Sequence, residues 1–103
     1  MSLNPAVKDA RRPIQRIKWE REDETIIDLT GLTLSGVIED KATGTQRAID
    51  GTLSQVPGVP DEFYWTWGST DVGTVGRFRV RFKAEVSVEV YELSYWMDWS
   101  VSA

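Results

Sequence analysis

The stretch that decides the fold runs from Arg77 to Val86, R-F-R-V-R-F-K-A-E-V, where apolar and charged residues alternate without a break. Successive side chains of a β-strand point to opposite faces, so this pattern predicts a strand with one buried and one solvated face. The expected inward residues are Phe78, Val80, Phe82, Ala84 and Val86, and the expected outward residues are Arg77, Arg79, Arg81, Lys83 and Glu85.

Other segments of the chain repeat this alternation and are separated by turn-forming residues. In the segments Gln15 to Trp19 and Phe63 to Trp67, every second residue, beginning with the first, is expected to point inward. The same alternation runs from Leu93 to Val101, where Leu93, Tyr95, Met97, Trp99 and Val101 are expected on one face and Ser94 and Trp96 on the other. Turns about every 8 to 12 residues are typical of a sandwich or small barrel. The sequence therefore predicts an all-β domain of seven to eight strands. Its expected core is Ile17, Leu29, Leu34, Ile38, Phe63, Trp65, Phe78, Val80, Phe82, Met97 and Trp99.

The amino-acid composition argues against several classes of function. The 103 residues contain neither histidine nor cysteine. This removes the commonest general base, a cysteine nucleophile, a thiolate metal site and any disulfide. The acids Glu22 to Glu24 and Glu39-Asp40 lack the interleaved oxygen spacing of a calcium loop. We expect a protein that is not an enzyme and that uses neither a cofactor nor a metal.

The N-terminal residues form a separate segment by pattern and by charge. We expect an arm over residues 1–12 and the sandwich domain over 13–103. Asn4-Pro5 resembles a helix start, which predicts a short turn or two of helix over residues 5–11. Residues 8–21 carry six cations against two anions, or +4, whereas the whole chain carries −4 and its remainder therefore −8.

This charge asymmetry predicts a role for the arm in assembly. We expect Lys8, Arg11 and Arg12 to dock the arm on an acidic surface of a neighbouring copy or another subunit, burying Val7. The alternative is a disordered terminus.

Two aromatic residues and the cationic stripe are the candidate binding surface. Tyr64 and Trp96 fall on outward faces, and Arg79 and Arg81 belong to the stripe on the strand described first. An exposed indole beside guanidinium groups can hold a sugar ring or a partner surface. The alternatives are that the stripe pairs with acids such as Asp98, and that the arm or a loop covers Trp96.

Three motifs in this order carry a resemblance to a known family: Asp28 to Leu32 (D-L-T-G-L), Phe63 to Trp67 (F-Y-W-T-W) and Asp71 to Phe82 (D-V-G-T-V-G-R-F-R-V-R-F). The region from Lys18 to Val101 resembles the immunoglobulin-like N-terminal domain of phage baseplate upper proteins and related tail and prophage modules. The resemblance implies an immunoglobulin-like antiparallel β-sandwich with a role in assembling a virion or phage-derived particle.

In this pattern Asp71 is expected to accept backbone N–H bonds within its loop, and Gly76 to start the strand. Phe78 stands where many immunoglobulin-like domains carry the tyrosine of a tyrosine corner, and it lacks the hydroxyl that such a corner needs.

The expected function is a structural module of a phage or prophage tail or baseplate. The alternative is a carbohydrate-binding or adhesive sandwich that uses exposed aromatic residues. Expected partners are other protein subunits, including further copies of the chain; carbohydrate is the partner expected for the alternative function.

Nucleic-acid binding is disfavoured by the net charge of −4. The N-terminus lacks a signal-peptide pattern and no apolar run could span a bilayer, so we expect the virion or the host cytoplasm during assembly.

Overall fold

A computed structural model describes residues 3–10, 14–20, 27–86 and 89–103. Within these ranges the chain forms nine β-strands, and no helix there could cross a membrane. The strands are β1 (Ala6–Val7), β2 (Gln15–Lys18), β3 (Thr33–Asp40), β4 (Gln46–Ala48), β5 (Thr52–Gln55), β6 (Glu62–Thr66), β7 (Gly76–Val86), β8 (Glu89–Leu93) and β9 (Met97–Ser102).

The strands form two sheets that pack face to face. The larger sheet has the order β1-β9-β7-β3-β4, with β8 also paired to β7, and the smaller has the order β2-β6-β5. The series β9-β7-β3-β4 corresponds to strands G, F, C and C′ of an immunoglobulin domain, and β2-β6-β5 corresponds to strands B, E and D. The predicted immunoglobulin-like β-sandwich is therefore confirmed. The count of nine exceeds the expected seven to eight because the short β1 was not predicted and the end of the chain forms two strands, β8 and β9.

Aromatic rings from both sheets fill the core. Phe63 of β6 meets Phe82 of β7 with ring centroids 4.9 Å apart, and Trp65 meets Trp99 of β9 at the same separation. The predicted core residues are buried except for Leu34, which is half-buried. Trp19 and Trp67, expected inward by parity, are buried as well. Val86, also expected inward, is half exposed at the end of β7.

A buried carboxylate, that of Asp71, organises the loops at one end of the sandwich. It accepts hydrogen bonds from the backbone N–H groups of Asp50, Gly51 and Gly68, each at 2.8 to 2.9 Å. The bond from Gly68 confirms the expected contact within the loop, whereas the bonds from Asp50 and Gly51 reach across to the β4–β5 connection. Asp71 thereby joins two loops that are distant in sequence.

Phe78, in the position of the missing corner tyrosine, is buried beneath a cation. The Arg47 guanidinium carbon lies 5.5 Å from the centroid of the Phe78 ring. Arg47 also donates hydrogen bonds to the backbone oxygens of Thr70 and Asp71. A cation–π contact and these bonds hold the start of β7 here, where a tyrosine hydroxyl would act in other domains.

The N-terminal segment is a strand, and the predicted helix over residues 5–11 is wrong. Ala6 and Val7 pair in parallel with Val101 and Ser102 of β9. A helix of one or two turns gains few hydrogen bonds for a costly nucleus, whereas β9 offers an open ladder. Leu3 and Ala6 are buried in the core of their own domain.

Two of the three cations proposed for the arm, Arg11 and Arg12, lie outside the described residues, as does the acidic run Glu22 to Glu24. Lys8 is exposed, and its backbone N–H donates to Ser102 O at 2.7 Å. Val7 is 52% exposed in the single chain. Docking of the arm onto a neighbouring subunit stays a prediction.

Candidate functional site: the outer face around Trp96

A β-bulge between β8 and β9 shapes the outer face of the larger sheet. Val80 pairs with Met97 and Lys83 pairs with Leu93, so two residues of β7 lie opposite three residues of the partner segment. The extra residue reverses the side-chain parity of Ser94 and Leu93 relative to the residues from Met97 onward. A second register shift follows between Ala84 and Glu85 of β7.

This reversal corrects the sequence prediction for the last segment. Leu93 and Tyr95, expected inward, are 47% and 51% exposed, and Ser94, expected outward, is buried. The Ser94 hydroxyl accepts a hydrogen bond from Phe82 N at 2.8 Å and donates to Tyr95 O at 3.0 Å. A polar residue is therefore tolerated in the core layer because its hydroxyl satisfies the backbone that the bulge leaves unpaired.

Three of the four predicted binding residues come together beside the bulge. Trp96 lies on the outer face, half-buried, with the Arg79 guanidinium carbon 4.2 Å and that of Arg81 5.3 Å from its ring centroid. We call Trp96, Arg79 and Arg81 the Arg-Trp stack. These two guanidinium groups cover part of the Trp96 ring. The alternative predicted from the sequence was that the arm or a loop covers it.

Tyr64, the fourth predicted residue, does not join them. It lies on the outer face of the smaller sheet, where β6 pairs it with Arg16 of β2 and Ser54 of β5. The Arg16 side chain donates a hydrogen bond to Glu62 in the same sheet at 2.7 Å, which lowers the pKa of the Glu62 carboxyl. Tyr64 and the Arg-Trp stack therefore face opposite sides of the sandwich.

A cross-strand ion pair neutralises part of the stripe, as the alternative predicted, although the acid that pairs with Arg79 is Glu39 and not Asp98. Arg79 stands opposite Asp98 in the ladder, yet its Nε donates to the Glu39 carboxylate of β3. Asp98 accepts instead from Lys41. The hydrogen bond from Arg79 lowers the pKa of Glu39, and that from Lys41 lowers the pKa of Asp98. Glu39 on β3 and Asp98 on β9 both stand directly opposite Arg79, and the Arg79 side chain bonds to the carboxylate on β3.

A shallow groove adjoins the Arg-Trp stack and was missed by the sequence analysis. It has a volume of about 140 Å³ and is lined by Ser35, Gly36, Val37, Arg81, Lys83 and Leu93. Leu93 reaches it only because the bulge turns that side chain outward. The alternation that continues through residues 93 to 101 gave no signal of this.

Acidic side chains are the candidate metal ligands of this chain, which contains neither histidine nor cysteine. Among the described residues no group of three or more acidic side chains is placed to hold a metal ion. Glu39 and Asp40, one of the acid pairs considered above, make an ion pair with Arg79 and an Asx-type bond from Ala42 N respectively. Both carboxylates thus have structural contacts.

Comparison with known proteins adds no identification. The sequence matches no known protein family, and no curated protein shows significant similarity to it.

Proposed function

We propose that this chain is a non-enzymatic structural module of a phage or prophage tail or baseplate particle, and that it acts through protein–protein contacts. The main support for this proposal comes from the outer face of the larger sheet, where the bulge exposes Leu93 and Tyr95 next to the Arg-Trp stack. Interface cores are enriched in aromatic residues and arginine, and these residue types dominate binding energy.

Three depressions lined by described residues suit a macromolecular partner better than a small substrate. The depressions beside Arg77, beside Gln15 and beside Arg81 measure about 290, 270 and 140 Å³. Small-molecule sites usually occupy roughly 300 to 1,000 Å³ of concave, mostly apolar space. The sequence also contains no histidine or cysteine to carry acid–base or nucleophilic chemistry. The assignment to a tail or baseplate draws on the resemblance of the Asp28, Phe63 and Asp71 motifs.

Sedimentation of particles tests this proposal. Tail particles induced from the host that carries the gene are separated on a density gradient, and the chain is quantified in the particle band by mass spectrometry. We expect it at a fixed ratio to the other tail subunits. A Leu93→Asp variant should fold but leave the band, because it places a charge in the contact surface. The matched control Tyr64→Ala, on the opposite sheet, should stay. A chain found only in the soluble fractions contradicts the proposal.

Carbohydrate binding is the second candidate, and the exposed Tyr95 beside Trp96 favours it. A sugar ring stacks on an aromatic face, but Arg79 already lies 4.2 Å over the Trp96 ring. Arg81 also lies 5.3 Å from the ring centroid, so these two guanidinium groups compete with a sugar for the indole, and we rank this function below protein contact. Calorimetric titration with neutral oligosaccharides, comparing the parent chain with Trp96→Ala, distinguishes the two functions.

A further inference from the structure

The groove beside the Arg-Trp stack combines features that suit one kind of group. It crosses β7 from Ser35 and Val37 of β3 to Leu93 of β8. Val37 and Leu93 give it apolar walls, while Arg81 and Lys83 supply two cations. Such a site suits a group with an apolar stem and an anionic end.

Of the two cations that line the groove, Arg81 is the one with spare donors. Arg79 pairs with Glu39, and Lys83 pairs with Glu85 at 3.0 Å. Arg81 donates from Nε to the Ser94 carbonyl at 3.1 Å, and within the described part of the chain its two terminal nitrogens meet no carboxylate. Because guanidinium nitrogens match the two oxygens of a carboxylate, Arg81 is the natural anchor for one.

Ser35 supplies an independent observation in the same groove. Its Oγ is shielded from solvent and makes no hydrogen bond with any described residue. Most buried hydroxyls are hydrogen-bonded, so a hydroxyl without a partner in the wall of a groove points to a missing group. A rotation of the Ser35 side chain about its Cα–Cβ bond would bring this hydroxyl to a carboxylate oxygen that enters beside Arg81.

We propose that this groove binds the carboxylate side chain of a Glu or Asp residue of a partner protein. The volume of about 140 Å³ suits a side chain better than a whole small-molecule ligand. Arg81 and Ser35 hold the carboxylate, and Val37 and Leu93 pack against the stem that carries it. Residues next to the acid in the partner contact Trp96. The choice of a protein as the occupant rests on the proposed function.

Titration of the full chain with a blocked glutamate, N-acetyl-glutamic acid N-methylamide, tests the proposal. Chemical shifts of the Ser35, Val37 and Lys83 amides are followed by NMR. The neutral counterpart, the same compound made from glutamine, shows whether the charge is required. We expect saturable shifts confined to the groove with the glutamate compound and none with the glutamine compound.

Matched variants assign the contact. Arg81→Gln should weaken binding about tenfold, as loss of a charged hydrogen-bond partner does. Arg77→Gln, on the same face of the same strand, should change affinity by less than about twofold. Ser35→Ala should weaken binding while leaving the melting temperature unchanged or raised, because its Oγ has no partner in the unbound chain. That combination separates a binding role from a purely structural one.

Several results overturn the proposal. Equal chemical-shift changes with the two blocked amino acids would show that binding does not depend on the negative charge. Equal losses of affinity in Arg81→Gln and Arg77→Gln would show a diffuse electrostatic effect. Saturable binding of glucuronate without binding of the glutamate compound identifies a carbohydrate site instead. Failure of the chain to enter tail particles contradicts the proposed function, whereas the titration reports on the groove alone.

Discussion

The Asp71 carboxylate accepts a hydrogen bond from the indole Nε1 of Trp65 at 3.2 Å, with both side chains fully shielded from solvent. Asp71 precedes β7 of the larger sheet, and Trp65 belongs to β6 of the smaller sheet. The bond therefore connects the two layers through a charged group, and the backbone donors around it supply the compensation that a buried carboxylate requires.

Replacing Asp71 with Asn should lower the free energy of unfolding by about 3 kcal/mol or more, because the new amide NH₂ turns a donor toward backbone donors. Urea unfolding followed by tryptophan fluorescence measures this. Asp28→Asn is the control: Asp28 is exposed and accepts local hydrogen bonds from Thr30, which Asn can also accept. Its effect should stay within about 0.5 kcal/mol. Equal effects of the two substitutions contradict the role given to Asp71.

Gly51 lies where even a methyl group does not fit. A Cβ there would stand 2.0 Å from Thr66 O and 2.7 Å from Gly68 N, both backbone atoms. Gly51→Ala should cost about 3 kcal/mol in the same unfolding experiment. At Gly44 an added Cβ has no atom within 4 Å, but the backbone has φ +76°. Gly44→Ala should therefore lower the free energy of unfolding by only about 1 to 2 kcal/mol. The reverse ranking would show that the loops around Asp71 are not close-packed.

Ser94 supports the bulge through its hydroxyl. Ser94→Ala should lower stability by about 1 to 3 kcal/mol, since Phe82 N then loses its acceptor inside the sheet. Ser54→Ala, at an exposed position of β5, should change stability by less than about 0.5 kcal/mol. Hydrogen exchange of the Phe82 amide provides a local readout. Unchanged protection of that amide in Ser94→Ala would contradict this explanation.

Removal of residues 1–10 should destabilise the domain by about 2 to 4 kcal/mol, because Leu3 and Ala6 leave the core. It also opens the edge of β9, so the truncated chain should associate as concentration rises. Light scattering over a concentration series, with calorimetric melting, tests both effects. Val7→Ala should be nearly neutral, since Val7 is largely exposed. A truncated chain that is monomeric and equally stable would show that β1 is dispensable.

Acid should weaken the fold through the exposed ion pairs. Hydrogen bonds from Arg79 and Arg16 lower the pKa values of Glu39 and Glu62. A carboxyl whose pKa is lower in the folded state stabilises the fold above its unfolded pKa, and this contribution disappears as pH falls through the folded pKa. Melting temperature should therefore decline below about pH 5. The decline should be shallower in a Glu39→Gln, Glu62→Gln double variant, and added salt should reduce it because the arginine of each pair is exposed. An identical pH profile in the variant would contradict the assignment.

The sequence predicted the parts of the fold that depend on side-chain parity. The strict alternation of β7 and the aromatic residues at 63, 65 and 67 place their side chains as expected. Parity also placed Arg79, Arg81 and Trp96 on one surface. It failed at Leu93, because one inserted residue in a partner strand reverses the faces of the residues just before it, as far as the next register shift. An insertion is visible only once the register is known.

The remaining failures also depended on long-range pairing. The Asn4-Pro5 pattern favours a local helix, but the free edge of β9 lies about 95 residues away in sequence and offers ladder bonds that override a weak propensity. Tyr64 and Trp96 could not be assigned to opposite sheets without the strand order. The spare donors of Arg81 and the unpartnered hydroxyl of Ser35 likewise appear only after β3, β7 and β8 are brought side by side.

Many immunoglobulin domains join their two sheets by a disulfide, whose formation depends on an oxidant. Here Asp71 joins elements of both sheets through hydrogen bonds, in a chain that has no cysteine. Hydrogen bonds to a carboxylate form without an oxidant once the loops come together, and thiol reagents do not affect them. The domain should therefore reach the same native state in reducing and in oxidising buffer, and dithiothreitol should leave its unfolding midpoint unchanged.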